Sequence, residues 1–227
     1  MRASRLFGVS LSENEKLEPP KPKPRIEGLS DLVFGLALSI GAITLVDNPP
    51  QTSLAIYQDV GTFAVSFYIL ISIWLRYTRI MSVLPLERRR TTFVNALLLF
   101  CVAIEPFLFN LLQRPIAGVE TSSFLDTAST LFALDVGGMM LMLGLFCNEI
   151  ATKDRKLVSM DLNETFKSER NIWSLFAAFF FVSAIPEFWS IQINGTPFRF
   201  LIWVVPLVLV WVARMHKRRL EKDQPKS

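Results

Sequence analysis

Three carboxylates stand inside or at the edge of apolar blocks: Glu105 in VAIEPFLF, Asp135 in LFALDVGG and Glu187 in AIPEFW. A carboxylate taken out of water is costly, so within lipid such a group marks a proton or cation site, a wet crevice or a polar helix interface. Glu105 lies 13 residues on from Thr92 and Asp135 lies 12 residues before Cys147, which places both near mid-depth if the two blocks cross a membrane in opposite directions. A second constellation opens the stretch RIEGLSDLVFGLALSIGAITLV, residues 25–46: Arg25, Glu27, Ser30 and Asp31 stand at the mouth of an apolar helix that also holds Ser39 and Thr44. Ser30 or Asp31 can cap that helix, with the carboxylate near the positive end of its dipole. The residue types of most enzyme sites are missing. One histidine, His216, falls in a basic tail, and Cys101 and Cys147 fall in or beside apolar blocks. There is no nucleophile elbow, no phosphate loop and no metal-ligand spacing. The expectation is a non-enzyme with no bound cofactor and no metal site.

The elements that carry these groups read as membrane helices. The chain is 51% hydrophobic with 19 Phe and 5 Trp, and its mean hydropathy is +0.38. The apolar residues fall into six blocks, at about 29–46, 60–81, 92–113, 124–147, 171–191 and 197–214, each of roughly 18 to 24 residues. At 1.5 Å per residue such a block crosses a hydrocarbon core of about 30 Å, and in lipid the backbone must bond within its own segment. Of the 24 basic residues, all but Arg114 and Arg199 lie in the N-terminal tail through Arg25, near the second and fourth connections, or in the C-terminal tail. That alternation predicts six spans with both termini cytosolic, and it accounts for the net charge of +4 without nucleic acid. Residues 1–24 end in EPPKPKP and read as a disordered cytosolic tail without a secretory signal. Residues 25–214 form the membrane domain, and 215–227 a second basic tail. On this topology Glu187 sits near the outer end of the fifth helix, with Arg199 as its candidate partner.

In the first helix Leu36, Ser39, Ile40 and Ile43 stand at i, i+3, i+4 and i+7 and therefore share one face. Gly35, Ala37, Gly41 and Ala42 put small side chains elsewhere on it, which lets helices approach closely in a bilayer. Geometry alone leaves this stripe open to ordinary packing.

The pattern Arg25-x-x-x-Leu29-Ser30-Asp31 resembles the Arg-x-x-x-Phe-Ser-Asp signature of the transmembrane protein 175 potassium channel family, and Val33-Phe34-Gly35-Leu36-Ala37 resembles its continuation. Ser66-Phe67-Tyr68 with Trp74 is similar to the family's second helix, and Asn95-Ala96-Leu97-Leu98-Leu99 with Pro106-Phe107 to its third. The departures are Leu29 in place of Phe, Arg76 and Tyr77 where a histidine often follows the Trp, and Glu105 before Pro106.

The resemblance implies a six-helix, single-repeat channel in which helix 1 of four subunits surrounds a central pore. Leu36 would form the narrowest apolar ring, Ser39 a hydroxyl ring one turn on, and Ile40 and Ile43 further pore positions. Arg25, Ser30 and Asp31 would then hold the base of helix 1 against helices 2 and 3, with Asn95 and Trp74 in the same network. The expected function is a potassium-permeable channel with an apolar side-chain constriction, because no TVGYG carbonyl filter is present. Its partners would be further copies of itself in a homotetramer, the lipid bilayer and permeant K⁺, with the plasma membrane as its location in a prokaryote. The alternative is a proton- or cation-coupled secondary transporter using Glu105 and Asp135, which the lack of visible repeat symmetry disfavours.

Overall fold

The computed structural model describes residues 25–47, 52–84, 89–112, 121–152 and 160–223. They form seven helices and one two-stranded hairpin in the order α1 (Arg25–Asp47), α2 (Ser53–Met81), α3 (Arg89–Leu111), α4 (Thr121–Ala151), α5 (Met160–Ser183), α6 (Glu187–Ser190), β1 (Gln192–Ile193), β2 (Thr196–Pro197) and α7 (Phe198–Asp223). The N-terminal tail expected for residues 1–24 lies outside the described residues. At the other end α7 runs to Asp223, so most of the basic tail continues the last helix.

Among the described residues, α2, α3 and the Ser123–Ala151 part of α4 are long and apolar enough to cross a membrane, while the apolar segments Gly28–Ile43 of α1 and Phe198–Leu209 of α7 are shorter. The fifth block differs most from its expected bounds of 171–191. Its helix begins eleven residues earlier, through the polar run DLNETFKSER, and stops at Ser183. Pro186 explains the stop: it has no N–H to continue the ladder, and it disfavours helical backbone in the residue before it. The chain then makes the single turn α6 and the hairpin, in which Gln192 pairs with Pro197 and Ile193 with Thr196. Asn194 and Gly195 occupy the turn with φ of 51° and 78°. Both values lie in the left-handed region that a two-residue hairpin loop needs, and Asn-Gly reaches it at least cost. α2 also starts earlier than the sequence suggests, because the Thr52 side chain caps it by accepting from the Ala55 N–H at 3.1 Å.

α4 is the centre of the bundle, with α5 and α3 packed against it. Its glycines set the α4–α5 distance: a Cβ on Gly137 would stand 3.1 Å from Phe180 Cβ, and one on Gly144 would stand 3.3 Å from Ser174 Oγ. Aromatic rings fill the space beyond. Trp203 stacks on Phe180 at 5.7 Å between centroids and meets Phe132 at 5.2 Å. α1 packs on α3 and α2 at the side of this core. Its approach is closest at Gly41, where a methyl group would meet the Phe63 ring at 3.4 Å and Pro106 Cβ at 4.0 Å.

Candidate functional site on the first helix

α1 has two unlike faces. Ser30, Phe34 and Ala37, at i, i+4 and i+7, are each at most 1% exposed. They point into the angle between α2 and α3, where the Phe34 and Tyr77 rings lie 5.6 Å apart. On the other side Leu29, Leu32, Leu36, Ile40 and Ile43 are all exposed, Leu36 at 53%. Leu36, Ser39, Ile40 and Ile43 are thus brought together on one open face of the protomer. Ser39 donates its hydroxyl proton to the Gly35 carbonyl at 2.8 Å. Its proton is used within the helix, so what the side chain offers outward is oxygen lone pairs.

The polar base of α1 is a set of contacts with α2 and α3. The Tyr77 hydroxyl lies 2.7 Å from Ser30 Oγ and 2.8 Å from Asn95 Oδ1, and all three residues are buried. One tyrosine thereby links three helices, with its single proton serving one partner while its oxygen can accept from the serine hydroxyl. Beside it, the Trp74 indole N–H donates to Asp31 Oδ1 at 3.0 Å in an exposed position. Trp74 and Tyr77 stand at i, i+3 on α2, so both face α1. Arg25 opens α1, but its side chain, like those of Thr44 and Glu27, lies outside the described set.

Tyr77 is the member that the sequence reading missed. Ser30 and Asn95 do belong to one network, but the phenol stands between them. A signal was present, since Tyr77 is one of the two residues that follow Trp74 where the family often has histidine. A tyrosine hydroxyl fills the polar helix 1 to helix 2 contact here.

The other expected polar residues separate into three places. Between α2 and α3 Glu105 is fully buried and Ser66 of α2 donates to it, with 3.1 and 3.0 Å to its two carboxyl oxygens. Asp135 on α4 is 6% exposed, with the Cys101 thiol beside it. Glu187 is exposed on α6, and Arg199 does not pair with it as the sequence reading expected. Arg199 is fully buried and donates to Asp126 Oδ1 at 2.7 Å, Ser129 Oγ at 2.6 Å, and the Asp126 and Ser183 carbonyls at 2.8 and 2.7 Å. The Trp189 ring covers the guanidinium at 5.6 Å. The physical reason is reach. Pro186 turns the chain so that the carbonyls at the end of α5, not the Glu187 carboxylate, face the start of α7. At the opposite, basic end of the bundle Arg76 and Arg79 of α2 both donate to Glu169 Oε1 of α5 at 3.0 Å.

These features define a class first: an all-helical integral membrane protein with long apolar helices and one half-open helix held by a polar base. Residues 25–106, comprising α1, α2 and α3 as far as Pro106, match the family model described as the endosomal/lysosomal potassium channel TMEM175. No curated protein and no solved structure matches the chain. The matched segment contains both faces of α1 and every member of its base: Ser30, Asp31, Trp74, Tyr77 and Asn95.

Proposed function

We propose that this chain is a subunit of a potassium-permeable channel whose pore is the common axis of four copies of α1, each subunit crossing the membrane six times with both termini cytosolic. The observation that carries this reading is the open face of α1. Among the described residues Leu36, Ile40 and Ile43 are left exposed and Ser39 bonds only within α1, whereas Ser30, Phe34 and Ala37 on the opposite face are buried. Placed around an axis, Leu36 forms the neck. An apolar ring of that kind gates by excluding water, so ions pass when it widens or when they shed part of their hydration. Na⁺ holds its water more tightly than K⁺ and meets the higher barrier there. One turn on, Ser39 presents a ring of lone pairs to a partly dehydrated cation. From Leu36 to Ile43 the lined length is about 10 Å.

The base then has a mechanical role. Each residue along a helix turns it by about 100°, so a rotational error of one position would swing Leu36 away from the axis. Ser30–Tyr77–Asn95 and Asp31–Trp74 fix that rotation from two sides of the helix, as directional hydrogen bonds do better than apolar packing. A planar-bilayer recording under K⁺/Na⁺ bi-ionic conditions tests the reading. Leu36→Asn is expected to raise conductance or leak through the neck. Unchanged currents in that variant would remove Leu36 from the neck, and a purified protein without tetrameric mass would remove the shared axis.

A further inference from the structure

We propose that Ser66, Glu105 and Asp135 form a buried proton-binding site that joins α2, α3 and α4 at mid-depth, with the proton carried by Glu105 in the folded protein. The first argument is a count of hydrogens. Ser66 Oγ stands 3.0 Å from one oxygen of Glu105 and 3.1 Å from the other. A hydroxyl has one proton. Against an ionised carboxylate that proton serves a single oxygen well and leaves the second contact as lone pair against lone pair. With a proton on Glu105, the acid O–H donates to Ser66 Oγ while the serine O–H donates to the other carboxyl oxygen, and both contacts become hydrogen bonds.

The second, independent argument is the state of Asp135. It is 94% buried by its 6% exposure, and its Oδ2 has no hydrogen-bond partner among the described residues. It lies close enough to Glu105 to interact with it electrostatically. The polar groups found beside the pair among the described residues are Ser66 from α2 and the Cys101 thiol one turn back on α3, while nearby Gly41 of α1 lies against Pro106, and Phe180 and Phe181 of α5 against Gly137. Among the described residues, Arg76 and Arg79 are engaged on Glu169 and Arg199 on Asp126, at the two ends of the bundle. Two carboxylates buried together, with no cation paired to either among the described residues, cost several kcal/mol each in desolvation, and a bound proton removes one of the charges.

The site also gives α2 and α3 a second fixed point. Tyr77 meets Asn95 at the base, and Ser66 meets Glu105 eleven residues away on α2 and ten on α3. The two contacts are about 16 Å apart along antiparallel helices, enough to fix both their register and their rotation. α1 sits on this pair, so proton occupancy bears on the surface against which α1 is set.

Infrared spectroscopy tests the site without reference to conduction, so its failure and that of the channel reading are distinguishable. The wild-type protein at neutral pH is expected to show a protonated-carboxyl C=O band that shifts in D₂O. That band should be lost in Glu105→Gln, and displaced but retained in Ser66→Ala. Superimposable wild-type and Glu105→Gln spectra overturn the proposal. If Glu105→Gln does not fold, a Ser66→Ala spectrum without displacement overturns it. Loss of the band in Asp135→Asn, with Glu105 intact, reassigns the proton and also overturns it. Stability gives a second readout. A folded state that holds a proton released by the unfolded chain loses stability as pH rises. The wild type should therefore melt lower in alkaline than in mildly acidic buffer, and Glu105→Gln should lose most of that difference.

Discussion

α1 and α4 are both apolar helices, yet the structure treats them in opposite ways. α4 is buried over two thirds of its span, 67%, by α3, α5 and the aromatic rings beyond. α1 buries one narrow face and leaves five large aliphatic side chains open, and the span of α2 beside it is 11% buried. The difference lies in which faces carry small residues. On α4, Gly137 and Gly144 face α5 and let its backbone come within Cβ contact. On α1, Ala37 and Gly41 face inward while Leu and Ile face out. In lipid an outward Leu costs nothing, so close packing by small residues and hydrogen bonds decides where helices meet. α4 holds the bundle together from its centre, whereas α1 is held at its base and leaves one face open.

That contrast can be broken by substitution. The largest effect is expected from Arg199→Met, which strands Asp126 and the α5 carbonyls around a side chain that is 0% exposed. Removing one member of a buried pair typically costs about 3–5 kcal/mol, and the partial exposure of Asp126 places this one at about 3. A thermal melt in mild detergent should show it, and an unchanged melt would mean that the Arg199 hub is not structural. Gly137→Val comes next. Its new methyls enter the 3.1 Å approach to Phe180, and overpacking of this kind costs about 1–3 kcal/mol.

Tyr77→Phe keeps the ring against Phe34 and removes the hydroxyl between Ser30 and Asn95. A loss of about 1–2 kcal/mol is expected from the groups left unsatisfied. On the proposed function it also alters open probability, a change that recording would detect and that a purely structural tyrosine elsewhere in the bundle would not produce. The smallest effect is expected from Leu36→Ala measured on the single chain: within about 0.5 kcal/mol, because the side chain is more than half exposed among the described residues. A loss as large as that of Tyr77→Phe would show that the α1 face is filled from within the chain and would remove the contrast with α4.

Much of the candidate site was legible before the fold. Helical spacing alone placed Leu36, Ser39, Ile40 and Ile43 on one face, because their angular positions follow from 3.6 residues per turn. The apolar blocks gave the helices their order. Bounds failed where local chemistry outweighed composition: Thr52 starts α2 early, and Pro186 with Asn194-Gly195 ends α5 early and makes a hairpin. Partners were the least legible part. Arg199 and Glu187 looked paired because they are near in sequence, whereas Asp126 is 73 residues away from Arg199 and bonded to it.

The sequence by itself determined that this chain forms apolar helices, which face of α1 holds the aliphatic stripe, and that its first three helices carry a potassium channel family's signature. Those properties are local: they depend on hydropathy, helical period and adjacent residue types. Only the tertiary structure decided that Tyr77 joins Ser30 to Asn95, that Ser66 meets Glu105, and that Arg199 closes one end of the bundle on Asp126. Each of these is a hydrogen bond between helices, set by rotation and depth to within an ångström. Hydropathy carries no information at that scale, because every polar group in a low-dielectric bundle seeks a partner and only packing determines which one is within reach.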